Sequence, residues 1–137
     1  MKYKIKINTK QYDNNGASDS ISLQSEGELF DKNNELYIVY KEKDENGISV
    51  TNTIKIGEDK VSMIKYGDKS STMVFKQDSM HTSKYKTPYG IFLIDIKTNK
   101  LKIDRKENHI KVYIEYNINI QDLFEGRNEV TISLEKM

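Results

Sequence analysis

The sequence predicts an all-β fold, a single antiparallel meander β-barrel of about 8–11 strands. Three features lead to this prediction: the residue types, a period-two alternation of apolar and polar residues, and short turn-forming clusters between the alternating segments. Of the 137 residues, 44 are Ile, Val, Thr, Tyr or Phe, whereas only seven are Leu and one is Ala. β-Branched and aromatic residues suit a pleated, half-buried surface, while Ala and Leu favour helices. The composition therefore indicates strands.

The clearest strand lies between His109 and Gln121. Polar residues and one tyrosine occupy its odd positions, and apolar residues occupy its even positions. Such strict alternation is typical of a strand with one buried face. We therefore expect the even-numbered side chains to face the core. These side chains are Ile110, Val112, Ile114, Tyr116, Ile118 and Ile120.

The same pattern, followed along the chain, predicts about ten or eleven strands. Clusters rich in Gly, Asn and Asp separate them, at 13–16, 31–34, 44–47, 57–59, 67–69 and 98–100. Asn-Gly pairs supply the positive φ angles of tight hairpin turns, so neighbouring strands should pair antiparallel. The only helical candidate is a single turn around 121–125. The predicted strands span 2–12, 20–30, 35–43, 48–56, 60–66, 71–77, 82–87, 91–97, 100–106, 109–121 and 128–136.

An up-and-down barrel is favoured over a Greek-key sandwich because nearly every connection is short enough for a hairpin. A sheet of this many strands must curl or split, and closure also removes the exposed edges. The first strand should therefore pair with a strand from the last third of the chain. No linker or change in composition divides the sequence, so one domain covering 1–137 is expected.

Charge and composition weigh against several classes of protein. Lys and Arg number 22 and Asp and Glu 21, a net charge of +1 that does not suit a nucleic-acid binder. The longest apolar run, Leu36–Tyr40, is far shorter than a membrane span. No apolar segment follows the basic N-terminus, so no signal peptide is predicted. Without cysteine there is no disulfide or zinc–thiolate site. We expect a cytoplasmic protein with neither nucleic-acid nor membrane partners.

Motifs for catalysis or cofactor binding are missing from the sequence. It contains no P-loop, dinucleotide-binding glycine motif or nucleophile elbow. The two histidines, His81 and His109, are not spaced as a pair of metal ligands. We therefore expect no catalytic residues, no metal and no cofactor.

Two charged residues interrupt apolar stretches. Lys65 shares its parity with Val61 and Met63, and Asp95 lies within an apolar run at 91–96. A charge on an apolar face either lies near the rim and reaches water along its stem, or is buried and paired. The rim position is favoured for both residues, and a Lys65–Asp95 pair inside the barrel is the alternative.

The single proline lies in the segment 83–90. Pro88 removes a backbone donor and favours extended geometry at Thr87, while Gly90 permits backbone angles that other residues avoid. Tyr85 and Tyr89 share a parity there. The segment is interpreted as a corner between strands whose tyrosines cover the core, with a pocket mouth as the alternative.

Several segments resemble the YwiB-type family of small uncharacterised bacterial proteins, a calycin-like and lipocalin-like β-barrel class. The resemblance covers almost the whole chain, although Lys65 stands where the family is associated with Arg. A lysine does not reproduce a bidentate guanidinium. The resemblance implies a lipocalin-like barrel in a cytoplasmic protein and implies no activity. The segments that carry it are Gly27–Phe30, Leu36–Tyr40, Met63–Gly67, Met73–Phe75, Tyr85–Gly90 and Ile114–Tyr116.

Three functions are compatible with these features. The first is a barrel that binds a small, partly apolar or anionic ligand in its interior or at its mouth. The second is a structural or protein-interaction module with a side-chain-filled barrel. An enzyme is the least favoured of the three, and the oligomeric state is left open. Polar side chains near the proline corner, and the charges that interrupt apolar faces, form the predicted ligand site. These residues are Lys65, His81, Tyr85, Thr87, Tyr89 and Asp95.

Overall fold

The computed structural model describes residues 1–16, 18–43, 46–66, 70–121 and 123–137. Within these ranges lie ten β-strands, each a segment of alternating apolar and polar residues. They are β1 (Lys2–Asp13), β2 (Ser18–Lys32), β3 (Glu35–Lys43), β4 (Ser49–Ile56), β5 (Lys60–Tyr66), β6 (Ser71–Lys76), β7 (Met80–Thr87), β8 (Gly90–Arg105), β9 (His109–Ile120) and β10 (Phe124–Lys136).

All ten strands belong to one antiparallel sheet with the order β6-β5-β4-β3-β2-β1-β10-β9-β8-β7. Strands that follow each other in sequence are therefore neighbours in space, as a meander requires. The first strand pairs with the last, and their register runs from Tyr3 opposite Lys136 to Asp13 opposite Gly126. The predicted antiparallel meander barrel and its closure through the first strand are confirmed. No helix of the described residues is long and apolar enough to cross a membrane.

The barrel closes incompletely between β6 and β7. Among the described residues, one bridge next to the start of β6 spans this gap: the Ser70 and Lys86 backbones exchange two N–H···O hydrogen bonds of 3.1 Å each. Between β6 and β7, the Gln77 side chain forms hydrogen bonds with the backbone of β8. Its amide nitrogen donates to the Asn99 carbonyl at 2.8 Å, and its amide oxygen accepts from the Leu101 N–H at 2.9 Å. The side-chain amide therefore satisfies backbone groups that a paired strand would otherwise satisfy.

The core follows the predicted alternation. On β9 the buried residues include Ile110, Val112 and Ile114, whereas Lys111 between them is exposed. One glycine serves this packing. Gly27 lies opposite both Tyr3 and Tyr40, and a Cβ there would approach the Val39 carbonyl oxygen to 2.5 Å. Only glycine allows the chain to pass so closely at this point.

Two predicted boundaries are wrong. The segments 91–97 and 100–106 form one strand, β8, with a bulge between Thr98 and Lys100. Thr98 is fully buried opposite Tyr116, so pairing with β9 overrides the turn-like composition of 98–100. The closing strand begins at Phe124 rather than at 128, which replaces part of the predicted helical turn. Asp122 of that turn, and residues 44, 45 and 67–69 of two predicted turn clusters, lie outside the described residues.

Candidate ligand pocket at the barrel mouth

The two ends of the barrel differ in the residues that face its interior. At one end of the barrel the odd-numbered strands end and the even-numbered strands begin, and we call this end the mouth. We call the opposite end the closed end. At the closed end, neighbouring strands place Leu36 opposite Ile56, Ile56 opposite Val61, and Val61 opposite Phe75. All four side chains are buried. The interior of β3–β6 is thus filled at this end.

On each of these strands, the residue four positions closer to the mouth also faces the interior, and it is polar. Tyr40 lies opposite Asn52, Asn52 opposite Lys65, and Lys65 opposite Ser71. An open cavity of about 270 Å³ lies at this level. Its floor is apolar and its rim is polar. The residues that line it are Ile7, Thr9, Ile21, Leu23, Tyr40, Glu42, Asn52, Thr53, Ile54, Met63, Ile64, Lys65, Ser71 and Met73.

Glu42 is the centre of the polar rim. Its Oε1 atom lies 3.3 Å from the Lys65 ammonium and accepts a hydrogen bond of 3.0 Å from the Asn52 amide nitrogen. The Lys65 side chain is 46% exposed and the Glu42 side chain 26% exposed, whereas Asn52 is buried. A buried amide that donates to a carboxylate holds that carboxylate in one position. The rim is therefore pre-organised.

The Tyr40 hydroxyl group belongs to the same environment. Burial raises the pKa of Tyr40 well above its usual value, and the nearby negative charge of Glu42 raises this pKa further. Both effects disfavour the phenolate form. Tyr40 is therefore a neutral hydroxyl at physiological pH, able to donate one hydrogen bond and to accept others.

The arrangement can bind a molecule that is apolar at one end and polar at the other. Ile54, Met63 and Met73 provide the apolar floor. An ammonium group carries three donors, so Lys65 retains donor capacity beyond its contact with Glu42. Within the described part of the chain, no three His, Asp or Glu side chains converge as metal ligands would.

The structure places two of the predicted site residues on opposite surfaces of the barrel wall. Lys65 lies on the interior face at the rim, as favoured from the sequence, and lines the mouth cavity. Asp95 faces outwards and accepts a hydrogen bond of 2.6 Å from the Thr82 hydroxyl. The alternative of a Lys65–Asp95 pair inside the barrel is therefore wrong. The partner of Lys65 is Glu42.

The other predicted residues are spread along β7 and its turn. Tyr85 lies opposite Phe92 and packs against the core. The Thr87 hydroxyl is used within the turn, where it accepts from the Tyr89 N–H and donates to the Gly90 carbonyl. Tyr89 is 92% exposed, so it does not cover the core as the corner interpretation expected.

His81 lies at the start of β7, opposite Ile96, far along the strand from Thr87. Of the six predicted site residues, Lys65 alone lines the mouth cavity. Asp95 instead borders a larger groove of about 690 Å³ on the outer surface, together with Tyr12, Lys97, Asn117 and Arg127. The predicted cluster of six is therefore not assembled at one place.

Sequence reasoning missed Glu42, Asn52 and Tyr40. The alternation pattern already pointed to all three residues. Glu42 and Tyr40 lie an even number of positions from Ile38, and Asn52 lies two positions from Ile54. Extending the alternation to the ends of these strands would have placed all three side chains on the interior face.

Comparison with known proteins agrees with the fold. The family model described as a domain of unknown function, DUF1934, matches residues 5–132. Among curated proteins, the uncharacterized β-barrel protein YwiB of Bacillus subtilis (strain 168) is 24% identical over 123 residues, which are 90% of this chain and 86% of YwiB. The crystal structure of the ywiB protein from Bacillus subtilis superposes with a TM-score of 0.88 at 20% identity, covering 99% of this chain and 92% of that chain. The predicted resemblance is confirmed.

Proposed function

This chain belongs to the DUF1934 family, described as a domain of unknown function, and we propose that it binds a small ligand with an apolar body and a polar head group at the barrel mouth. The observation that carries the proposal is the change along β3–β6 from a filled apolar interior to a polar rim around an open cavity. Ligand sites typically combine an apolar lining with a few fixed polar groups.

The size of the cavity limits the ligand. Its volume of about 270 Å³ lies just below the range of roughly 300–1,000 Å³ typical of pockets for drug-sized molecules. The apolar body would contact Ile54, Met63 and Met73. The head group would accept a hydrogen bond from the Lys65 ammonium, as a carbonyl, hydroxyl or carboxylate oxygen does. A carboxylate would also meet the charge of Glu42, so an uncharged head group is favoured.

Native mass spectrometry of the protein purified from its own host tests this proposal. We expect a fraction of the protein to carry a small molecule that is released on denaturation. Met73→Phe, which fills the cavity floor, should lower this fraction, whereas Met80→Phe, at an exposed position, should not. Circular dichroism would establish that both variants are folded.

Two results would contradict the proposal. In the first, the wild-type protein carries no small molecule, even after incubation with a small-molecule extract of its host. In the second, a stoichiometric protein partner co-purifies and the cavity-filling variant changes nothing. That second result would favour an interaction module with a filled barrel.

A further inference from the structure

We propose that the outer face of the β7–β8 hairpin docks the protein on an anionic lipid surface. The residues concerned, called the hairpin patch, are Lys84, Lys86, Tyr89, Ile91 and Leu93. Lys84 lies opposite Leu93, and Lys86 lies opposite Ile91. Residues directly opposite in an antiparallel pair share a face. The two lysines and the two aliphatic side chains therefore point outwards together, while Tyr85 and Phe92 face inwards.

The three apolar members of the patch are exposed and lie close together on one hairpin. Tyr89 is 92% exposed, Ile91 58% and Leu93 44%. Leu123 is also exposed, and it lies two residues after Gln121, whose N–H donates to the Leu93 carbonyl at 3.0 Å. Single exposed apolar residues need no explanation, but a contiguous group indicates an interaction site.

The charge of the patch selects the kind of partner. Both lysines are exposed, and neither takes part in an ion pair with a residue that the structure describes. Asp95 on the same face accepts a hydrogen bond from the Thr82 hydroxyl and keeps its negative charge, which offsets one of the two lysines and leaves a net positive charge. A two-fold contact with a second copy of the chain would bring like charges together. A negatively charged surface complements the patch.

A lipid bilayer suits both the charge and the residue types. Aromatic rings concentrate at the interface between lipid and water, aliphatic side chains enter it, and lysines reach anionic head groups along their apolar stems. A patch of this size implies weak, reversible binding at the surface rather than insertion across it. The expectation of no membrane partner rested on the absence of a membrane-spanning segment, and surface docking does not require one.

The hairpin tip belongs to the mouth end of the barrel, where β7 finishes and β8 begins. The described turns at the opposite end are polar, as at Asn33–Asn34 and Glu58–Asp59. Docking through the patch would therefore lay the outer wall next to the mouth, rather than the closed end, against the membrane. The docking proposal stands on the exposed residues of the hairpin and does not depend on a ligand in the mouth.

Fluorescence offers a direct test because the natural sequence contains no tryptophan. Tyr89→Trp places a single reporter at the hairpin tip. We expect its emission to shift to shorter wavelength with vesicles of phosphatidylglycerol and phosphatidylcholine, and not with phosphatidylcholine alone. Sedimentation with the same vesicles measures binding of the wild-type chain, and added salt should weaken it.

Variants of the patch identify the contributing residues. The pair Lys84→Gln and Lys86→Gln should raise the lipid concentration for half-maximal binding about thirtyfold. The pair Ile91→Ser and Leu93→Ser should raise it by at least about tenfold. The matched controls are Phe30→Ser, at an exposed site towards the closed end, and the pair Lys4→Gln and Lys6→Gln on β1. These should bind as the wild type does.

The proposal is overturned if the wild-type chain does not sediment with anionic vesicles, or binds neutral vesicles equally well. It is also overturned if the controls lose binding as strongly as the patch variants. A lipid-free dimer, or a complex with an acidic protein, that is lost in the Ile91→Ser and Leu93→Ser variant while vesicle binding is absent would assign the patch to a protein partner instead.

Discussion

The closed end and the mouth of this barrel are built by the same strands on the same side of the sheet, yet one is filled and the other is open. On β4 the interior side chain changes from Ile56 to Asn52, and on β5 it changes from Val61 to Lys65. Alternation therefore decides which face of the sheet a residue occupies, but residue type decides whether the barrel interior is filled at that level. The same scaffold supplies stability at one end and polar groups at the other.

The two ends are stabilised by different interactions. At the closed end, Ile56, Val61 and Phe75 are completely buried, and removal of apolar surface from water stabilises the fold. At the mouth, Asn52 is buried as well, but its amide is satisfied by Glu42. A satisfied polar group contributes little net stability, although its loss leaves a partner without a hydrogen bond.

The largest effect is expected for Phe75→Ala at the closed end. The Phe75 ring lies 4.7 Å from the Tyr116 ring, centroid to centroid, and has no exposed surface. Its truncation removes buried apolar surface and leaves a cavity, so we expect a loss of about 3–5 kcal/mol in the free energy of unfolding. Urea denaturation measures this loss.

Phe30→Ala is the control for this substitution, because Phe30 is about half exposed on the outer surface. This substitution should change the free energy of unfolding by no more than about 0.5 kcal/mol, as is usual for surface changes. If Phe75→Ala and Phe30→Ala destabilised the protein equally, the closed end would not be the packed core described above.

An intermediate effect is expected at alkaline pH from Tyr40, which lies beside the mouth cavity. The pKa of Tyr40 is raised in the folded state by burial and by Glu42. The stabilisation from the retained proton is complete below the unfolded-state pKa of about 10 and is lost as pH rises above it. The free energy of unfolding should therefore fall above about pH 10, by about 1.4 kcal/mol per pH unit from this group.

Tyr40→Phe should remove this part of the pH dependence, as measured by urea denaturation at several pH values. Tyr116, whose pKa is also raised by burial, retains its own part. The control is Tyr89→Phe, which removes a hydroxyl from an exposed position. Its free energy of unfolding should depend on pH as that of the wild type does. An unchanged alkaline slope in Tyr40→Phe would show that the Tyr40 hydroxyl is not enclosed beside the mouth.

Period-two alternation predicted faces well where only one side of a strand is apolar. It placed Ile110, Val112 and Ile114 inside and Lys65 on the interior face at the rim. It could not assign Asp95, because 91–96 is apolar at both parities and either face could have been the buried one. The structure resolves this ambiguity through pairing with β9, which buries Ile94 and Ile96.

Contacts across strands were harder to predict than faces. The Glu42–Lys65 contact joins β3 to β5 across β4 and depends on the register of two hairpins, Tyr40 opposite Asn52 and Asn52 opposite Lys65. A shift of one residue in either hairpin would turn one partner outwards. The single β8 strand was missed for a similar reason, since the turn-like residues 98–100 form a bulge once β9 pairs with them.

The smallest effect is expected for the ion pair on the mouth rim. The Lys65 ammonium lies 3.3 Å from Glu42, but the lysine side chain is 46% exposed, so water screens the pair. A double-mutant cycle with Glu42→Gln and Lys65→Met should give a coupling energy of about 0.2–1 kcal/mol. The free energies come from urea denaturation of the wild type, both single variants and the double variant.

Repeating the double-mutant cycle at high salt distinguishes a solvated ion pair on an open rim from a buried one. At about 1 M NaCl the Debye length falls to about 3 Å, so the coupling between two solvated charges should nearly vanish. A buried pair would behave differently, since loss of one partner leaves an unpaired charge and costs about 3–5 kcal/mol. A large, salt-insensitive coupling would mean that Glu42 and Lys65 seal the barrel as firmly as Phe75 does at the other end. The mouth would then be a second closed end, with no free entry for a ligand.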